Sequence, residues 1–293
     1  PNLPTLMILI TGATGHLGAA VLRQLLTKLP ASQLAALVRD PAKAADLADQ
    51  GVSLRVGNYR DPASLEQAMQ GVEKVLLVSG GGDPDGLQQH YNVVDAAKAA
   101  GVQCLAYTGR ALQDRHTLAN ELMQRHFQTE DYIRASGLGY VLFRNILYMD
   151  ALPLFIGGPQ VFEAGIHLPA GAGRTSFALR REMGEAIANV LAEGDCANRV
   201  YTFTNAESYS FHDVAAALTE LSGREVRYTD TEPEAFVARL QERGLPEAAA
   251  RFSLGFMTDI KHGQESAVTS ELAEVLGRRP ASLKEGLREL MSL

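Results

Sequence analysis

The stretch LMILITGATGHLG, residues 6–18, carries the pattern that decides the fold. Five apolar residues, 6–10, run into a turn with glycines at positions 12, 15 and 18, and an amphipathic stretch, 19–29, follows at once. This pattern predicts a buried strand, a tight turn and a helix whose first N–H groups lack intrahelical partners. Such a helix start attracts phosphate through those N–H groups and the positive end of its dipole. We therefore expect a dinucleotide site near the start of the chain.

The composition is that of an ordinary globular protein. The chain has 293 residues, of which 46% are hydrophobic and 21% charged, and its formal net charge is −7. Lysines and arginines are scattered, so we expect no nucleic-acid partner. No apolar run reaches the roughly 18 residues of a membrane span, and residues 1–5 lack the features of a signal peptide. We therefore expect a cytoplasmic protein without a membrane partner, with Met7 as a candidate natural start.

The two cysteines, Cys104 and Cys196, lie in different regions and form no CxxC motif. This spacing predicts neither a disulfide framework nor a zinc site, and no metal is expected. Cys104 lies in an apolar run and is interpreted as a small buried hydrophobic residue.

Short apolar runs alternate with stretches of helical periodicity through the first half of the chain. The alternation predicts an α/β protein with a Rossmann-like, doubly wound parallel sheet. The predicted strands are 7–11, 34–38, 53–56, 74–78, 102–107 and 140–143. The predicted helices lie near 16–29, 42–49, 62–69, 86–100 and 116–135, with Asp61 as an N-cap before Pro62.

The alternation loosens after about Asp150. Residues 151–173 are rich in glycine and proline, which indicates irregular backbone. A smaller αβ region follows, with helices near 182–192 and 211–221 and strands at 200–203 and 225–228; a capping box is expected at 210–213. We expect a dinucleotide-binding domain over residues 7–150 and mainly a substrate lobe over residues 151–293.

The residues after the second predicted strand bear on which dinucleotide binds. Arg39 offers a planar fork suited to a 2′-phosphate, and Lys43 adds a second positive charge one helical turn later. This pair favours NADP(H) over NAD. Asp40 leaves the choice open, because its carboxylate suits a ribose hydroxyl as well as a helix cap. The alternative for Arg39 is a solvated charge at a strand end.

Four segments together resemble the NmrA-like, atypical short-chain dehydrogenases/reductases, and among them the quinone and dye reductases. The segments are 11–18, 38–43, 106–108 and 144–148, and the likeness extends over most of the chain and includes 221–226. The resemblance implies an NADPH-dependent reductase without flavin or metal that passes hydride to a quinone or another electron-poor aromatic acceptor.

The resemblance also implies the cofactor-binding residues by position. The turn after the first strand would hold the pyrophosphate, residues near 58 the adenine, and the ends of the fourth and fifth strands the nicotinamide ribose. Asn58 stands where the family commonly has Asp. The residues so implied are Gly12, Thr14, Gly15, His16, Leu17, Arg39, Lys43, Asn58, Tyr59, Ser79, Gly80, Tyr107 and Thr108.

The acid–base pair of ordinary short-chain carbonyl reductases is missing from the sequence. None of the nine tyrosines has Lys four residues later, and the nearest imitation, Tyr140 with Arg144, falls in a predicted strand. Ketone reduction and sugar epimerisation need that proton transfer and are disfavoured. Reduction of a quinone or a cationic dye needs little acid catalysis, so binding geometry dominates.

The candidates for contact with the acceptor are Tyr148, Asn145, His126 and Arg110. His126 shares a helical face with Leu118, Leu122 and Ile133, which favours a packing role over a chemical one. Arg110 suits an anionic acceptor or a hydroquinone anion, with a solvated loop arginine as the alternative. Tyr148 and Asn145 follow the sixth strand, where a functional and a structural role are both open.

Two other functions remain open on the sequence alone. The first is an NADP(H)-sensing regulator of NmrA type that binds the dinucleotide without turnover. The second is reduction of an activated C=C bond or an imine. The expected acceptor site lies among the loops after strands four and five and residues 145–173, with Phe155, Phe162 and Phe177 as its wall or as core. A monomer or a homodimer is expected.

Overall fold

The structure is a computed structural model that describes residues 6–80, 82–194 and 196–293. It contains two compact units that interleave along the chain. The first comprises the chain up to Gly109, Arg125–Arg144 and Arg180–Tyr201, and the second comprises Arg110–Gln124, Asn145–Leu179 and Thr202–Leu293. The chain thus enters each unit more than once, and the division into domains at residue 150 stays a prediction.

The bounds of the regular elements follow chain order. The strands are β1 Ile8–Ile10, β2 Leu34–Val38, β3 Ser53–Val56, β4 Lys74–Leu77, β5 Cys104–Arg110, β6 Gly139–Asn145, β7 Ile166–Leu168, β8 Arg174–Thr175, β9 Arg199–Phe203, β10 Tyr209–Ser210 and β11 Tyr228–Asp230. The helices are α1 His16–Leu25, α2 Ala45–Asp49, α3 Pro62–Ala68, α4 Gly86–Ala99, α5 Gln124–Ser136, α6 Leu152–Ile156, α7 Val161–Ala164, α8 Arg180–Glu193, α9 Phe211–Ser222, α10 Pro233–Glu242, α11 Glu247–Lys261, α12 Glu271–Leu276 and α13 Leu283–Met291.

A seven-stranded sheet with the order β3-β2-β1-β4-β5-β6-β9 is formed by the described residues. The pairings of β1 with β2 and β4, of β2 with β3, and of β4 with β5 are all parallel. The first six strands have the order of the doubly wound dinucleotide-binding fold. Every residue of β1 is fully buried, as expected for a parallel strand covered on both faces. The predicted Rossmann-like α/β fold is confirmed.

The turn between β1 and α1 depends on two glycines. Gly12 has a φ of +58°, in the left-handed region that suits glycine. A Cβ on Gly18 would lie 2.2 Å from the carbonyl oxygen of Gly12, so a side chain at position 18 would push the helix off the turn. On the same helix, Ala20 meets Gly184 of α8, where an added Cβ would lie 2.6 Å from the Ala20 Cβ.

Two predicted helix starts are confirmed by their caps. The Asp61 side chain accepts a hydrogen bond from the Ser64 N–H, with Pro62 opening α3. Ser210 and Asp213 form the expected capping box before α9. Local side-chain signals therefore located these helices well.

Several expectations about longer segments are wrong. The helix expected over 116–135 begins at Gln124, after a 3₁₀ turn at Glu121–Met123. The strand expected at 225–228 lies at Tyr228–Asp230. Residues 151–173 hold α6, α7 and β7 rather than only irregular backbone. Within the second unit, β7 pairs with β11 in parallel and β8 pairs with β10 antiparallel, and residues of β7, β10 and β11 pack in a separate apolar core.

None of the helices in the described ranges is long and apolar enough to cross a membrane.

A disulfide joins Cys104, at the start of β5, to Cys196, between α8 and β9. The expectation that the cysteine spacing predicts no disulfide is therefore wrong, whereas the predicted burial of Cys104 is confirmed, since this residue is 3% exposed. The two residues are 92 positions apart, with their Cα atoms at 5.6 Å. Pairing over such a separation depends on the strand order β5-β6-β9, which the cysteine spacing does not encode.

We expect the double substitution Cys104→Ala/Cys196→Ala to lower the free energy of unfolding by about 2–4 kcal/mol, because the cross-link restricts a long loop of the unfolded chain. Urea unfolding with and without a thiol reductant measures the effect. Reduction should destabilise the wild type and leave the variant unchanged. Equal midpoints for the oxidised wild type and the variant would contradict a stabilising role.

Candidate functional site

The start of α1 is the candidate anion site of the first unit. Gly15 is the N-cap residue, supplies no side-chain cap, and the first helical turn carries no acidic residue. Thr14, Gly15 and His16 are exposed, while the side chain of Leu17 is buried. The backbone N–H groups at this helix start and its dipole therefore fit a phosphate group without a competing carboxylate.

Two cations follow β2, the neighbour of β1 in the sheet. Arg39 and Lys43 are exposed, and neither forms an ion pair with any residue that the structure describes. Asp40 lies between them and accepts a hydrogen bond from the Ala42 N–H at 3.1 Å. The capping interpretation of Asp40 is confirmed, which leaves Arg39 and Lys43 as the charged groups for an anion.

Tyr59 ties the ends of β1 and β4 together. Its hydroxyl donates to the Val78 carbonyl at 3.0 Å and hydrogen-bonds the Thr11 hydroxyl. Burial raises the pKa of Tyr59 well above its ordinary value, so the group is a neutral phenol. Asn58 is exposed, and its side-chain oxygen accepts from the Arg60 N–H at 3.0 Å. Contact of either residue with a cofactor stays a prediction.

The backbone after β4 is held by buried polar groups, of which the sequence analysis singled out Thr108 but not His90 or Thr129. The Ser79 N–H donates to the Thr108 hydroxyl at 2.9 Å, and the Gly80 N–H donates to His90 Nε2 at 3.4 Å. His90 Nδ1 lies 2.8 Å from the Thr129 hydroxyl, which itself donates to the Arg125 carbonyl. Since Nε2 accepts, Nδ1 carries the proton of a neutral ring.

Arg125 completes the support of this loop from helix α5. Its guanidinium donates to the carbonyls of Gly80 and Asp83, at 3.2 and 3.4 Å. Burial, followed by the nearby Arg125 charge, lowers the pKa of His90 to about 4. The glycine-rich run 80–86 is thus positioned at both ends; its Gly81 lies outside the described residues.

Tyr107 and His126 form a buried pair. The Tyr107 hydroxyl lies 2.8 Å from His126 Nδ1, and the two side chains are fully buried and 5% exposed, respectively. Burial raises the pKa of Tyr107, so it is not poised to release a proton. The helical face expected for His126 is wrong in part, because Leu118 and Leu122 precede α5, although Ile133 lies on it.

Asn145 and Tyr148 belong to the second unit. The Asn145 side chain donates to the Tyr148 hydroxyl at 3.3 Å, and the Asn145 carbonyl accepts from the Ala111 N–H at 3.0 Å. Asn145 is fully buried, and its Oδ1 has no hydrogen-bond partner. Such an orphaned buried acceptor calls for an explanation beyond packing.

Arg110 ends β5 and forms an ion pair with Glu265. Its side chain is 13% exposed, so the alternative of a solvated loop arginine is wrong. Its guanidinium carbon lies 5.8 Å from the centre of the Phe256 ring. Glu265 was not singled out in the sequence, because nothing local links positions 155 residues apart.

The segment that follows Arg110 is fixed by the end of α11 and the residues after it. Asp259 accepts from the N–H groups of Ala119 and Asn120, and Gln264 exchanges hydrogen bonds with the Asp114 backbone at 2.9 Å. Burial raises the pKa of Glu265, although the Arg110 charge and the Leu147 N–H act against it.

The three phenylalanines considered for an acceptor wall belong to the core of the second unit. Phe177 is 1% exposed, and Phe155 and Phe162 are partly buried against the same cluster.

The chain is similar to known proteins in both sequence and structure. The chain is 36% identical over 288 residues to quinone oxidoreductase 2 of Escherichia coli, a match that covers 98% of this chain and 99% of the relative. It is 31% identical to the NAD(P)H azoreductase of Xenophilus azovorans, over 83% of this chain and 84% of that one.

The fold agrees with solved structures of the same kind. The triphenylmethane reductase of Citrobacter sp. complexed with NADP(H) superimposes with a TM-score of 0.89 at 35% identity, over 97% of this chain and 99% of that chain. The NADPH-dependent quinone oxidoreductase of Escherichia coli complexed with NADPH gives the same values. Residues 4–285 match the NmrA-like family. The chain therefore belongs to the NmrA-like family.

Proposed function

We propose that the protein is an NADPH-dependent reductase that passes hydride directly to a quinone or a similar electron-poor aromatic acceptor. The observation that carries the proposal is the uncapped start of α1, with Arg39 and Lys43 at the end of the adjacent strand β2. The identity to a quinone oxidoreductase over nearly the whole chain supports the same acceptor class.

Each part of NADPH has its proposed partners in the first unit. The backbone from Gly12 to Leu17 would hold the pyrophosphate, because no side chain or carboxylate competes at the helix start. Arg39 and Lys43 would hold the 2′-phosphate. Ser79, Gly80, Tyr107 and Thr108 would border the nicotinamide ribose, with Asn58 and Tyr59 toward the adenine. The cofactor supplies hydride, which is chemistry that no protein side chain provides.

The protein's own part in the reaction is positioning rather than strong acid catalysis. Tyr107 is buried with a raised pKa, and none of the nine tyrosines has the lysine that would activate it. Hydride addition to a quinone gives a phenolate-like anion that takes its proton from water. We assign contact with the acceptor to Tyr148, Asn145 and Arg110, and a positioning role on Tyr107 to His126.

The partner is a small molecule, and the protein acts as a monomer or a homodimer, which sedimentation velocity distinguishes.

We assign the protein to the cytoplasm, where NADPH is supplied. Disulfides are uncommon in that compartment. Cys104 is 3% exposed and Cys196 is partly exposed, so thiols reach the bond from the Cys196 side. Alkylation of free thiols during cell lysis would report whether the bond is present there.

The purified protein, freed of flavin, should oxidise NADPH rapidly once a quinone is added, because the acceptor requires only hydride and a solvent proton. Loss of absorbance at 340 nm measures this, with an azo dye and a triarylmethane dye as further acceptors. Added flavin should not change the rate. No turnover with any of these acceptors, together with tight binding of NADP⁺, would instead favour the regulator that senses NADP(H).

Replacing both cations after β2, Arg39→Ala/Lys43→Ala, should weaken NADPH binding about 10- to 100-fold, because two charge-assisted contacts to phosphate are lost. The Kd for NADH should change little, and fluorescence titration measures both. Arg23→Ala/Lys98→Ala removes two exposed cations elsewhere in the first unit and should leave both values unchanged. An equal loss for NADPH and NADH would contradict recognition of the 2′-phosphate.

A further inference from the structure

The ion pair between Arg110 and Glu265 is buried, and removing its two charges from water costs free energy. The side chains are 13% and 1% exposed, respectively, so both charges are largely removed from water. Apolar residues of similar volume often stabilise a protein as well as or better than a buried ion pair. Stability alone therefore does not account for this pair.

The polar atoms around the pair have unused hydrogen-bonding capacity. Arg110 Nε, Glu265 Oε2 and Asn145 Oδ1 are buried and have no hydrogen-bond partner. They belong to neighbouring groups of the second unit, since Glu265 pairs with Arg110 and the Asn145 carbonyl accepts from Ala111, the residue after Arg110. The set offers one donor and two acceptors.

The charge and the hydrogen-bonding character of this set select one kind of ligand group. The charges of Arg110 and Glu265 sum to zero. The two unpaired acceptor oxygens, one on Glu265 and one on Asn145, would repel a carboxylate or a sulfonate. A carbonyl or hydroxyl group matches the donor and the acceptors, and a flat ring suits the aromatic face of Phe256 beside Arg110.

We infer that Glu265 determines the charge of the acceptor that this protein takes. By neutralising Arg110 it excludes anionic acceptors, and without its charge Arg110 binds them. Glu265 is thus a specificity residue, and Arg110 becomes an anion-binding group only in its absence. The inference rests on the proposed function, because it concerns the acceptor of that reaction.

The substitution Glu265→Gln tests the inference with little change of shape. Glutamine keeps an oxygen to accept from Arg110 and removes the negative charge. We expect the ratio of kcat/KM for 1,2-naphthoquinone-4-sulfonate to that for 1,2-naphthoquinone to rise about tenfold or more, mainly through a lower KM for the sulfonate. Adding Arg110→Met to this variant should return the ratio to the wild-type value.

Glu234→Gln is the matched control. It removes one negative charge from an exposed ion pair with Arg251, which keeps its second partner Glu247. Its ratio should equal that of the wild type. A folded Glu265→Gln variant whose ratio stays within twofold of the wild type would overturn the inference, as would a gain that persists after Arg110→Met.

A binding measurement separates failure of the inference from failure of the proposed function. If the wild type reduces no quinone, the proposed function fails. The role of Glu265 is then still tested by calorimetry, which measures the Kd of naphthalene-2-sulfonate and of 2-naphthol with and without NADP⁺. Sulfonate binding about tenfold tighter in Glu265→Gln, with naphthol unchanged, supports the charge selection. Equal Kd values for the sulfonate in both proteins overturn it.

Discussion

The contact between the backbone of Gly12 and Gly18 is the constraint on which the first unit depends. A single Cβ at position 18 would lie 2.2 Å from the Gly12 carbonyl oxygen, so only glycine lets α1 begin directly against the turn after β1. Because β1 lies between β2 and β4 in the sheet, that turn has Arg39 on one side and Ser79 on the other. This close approach of two backbone segments therefore fixes where the proposed phosphate-binding and ribose-binding groups stand relative to each other.

Local signals in the sequence predicted the elements that local physics controls. Apolar runs gave β2 and β3 with the observed bounds, and the cap residues Asp61 and Ser210 marked the starts of α3 and α9. Contacts between positions far apart in the sequence were not predicted, because the spacing of residues along the chain does not indicate which of them meet in the fold. The Cys104–Cys196 bond and the Arg110–Glu265 pair both depend on which strands and helices become neighbours after folding.

Buried polar groups have a similar task in each unit, which is to hold backbone next to the residues proposed to bind ligands. In the first unit, His90 and Arg125 form hydrogen bonds with the backbone after β4. In the second unit, Asp259 and Gln264 form hydrogen bonds with the backbone of the segment after Arg110. Exposed loops lose conformational freedom only if something fixes them, and these hydrogen bonds do so.

The disulfide also changes the covalent topology of the molecule. It closes a covalent ring from Cys104 to Cys196. This ring contains α5, β6 and the whole segment Asn145–Leu179, which belongs to the second unit. A single peptide-bond break anywhere inside that ring leaves both fragments joined through sulfur. The part of the chain that crosses most often from one unit to the other is therefore the part whose cleavage does not separate the polypeptide.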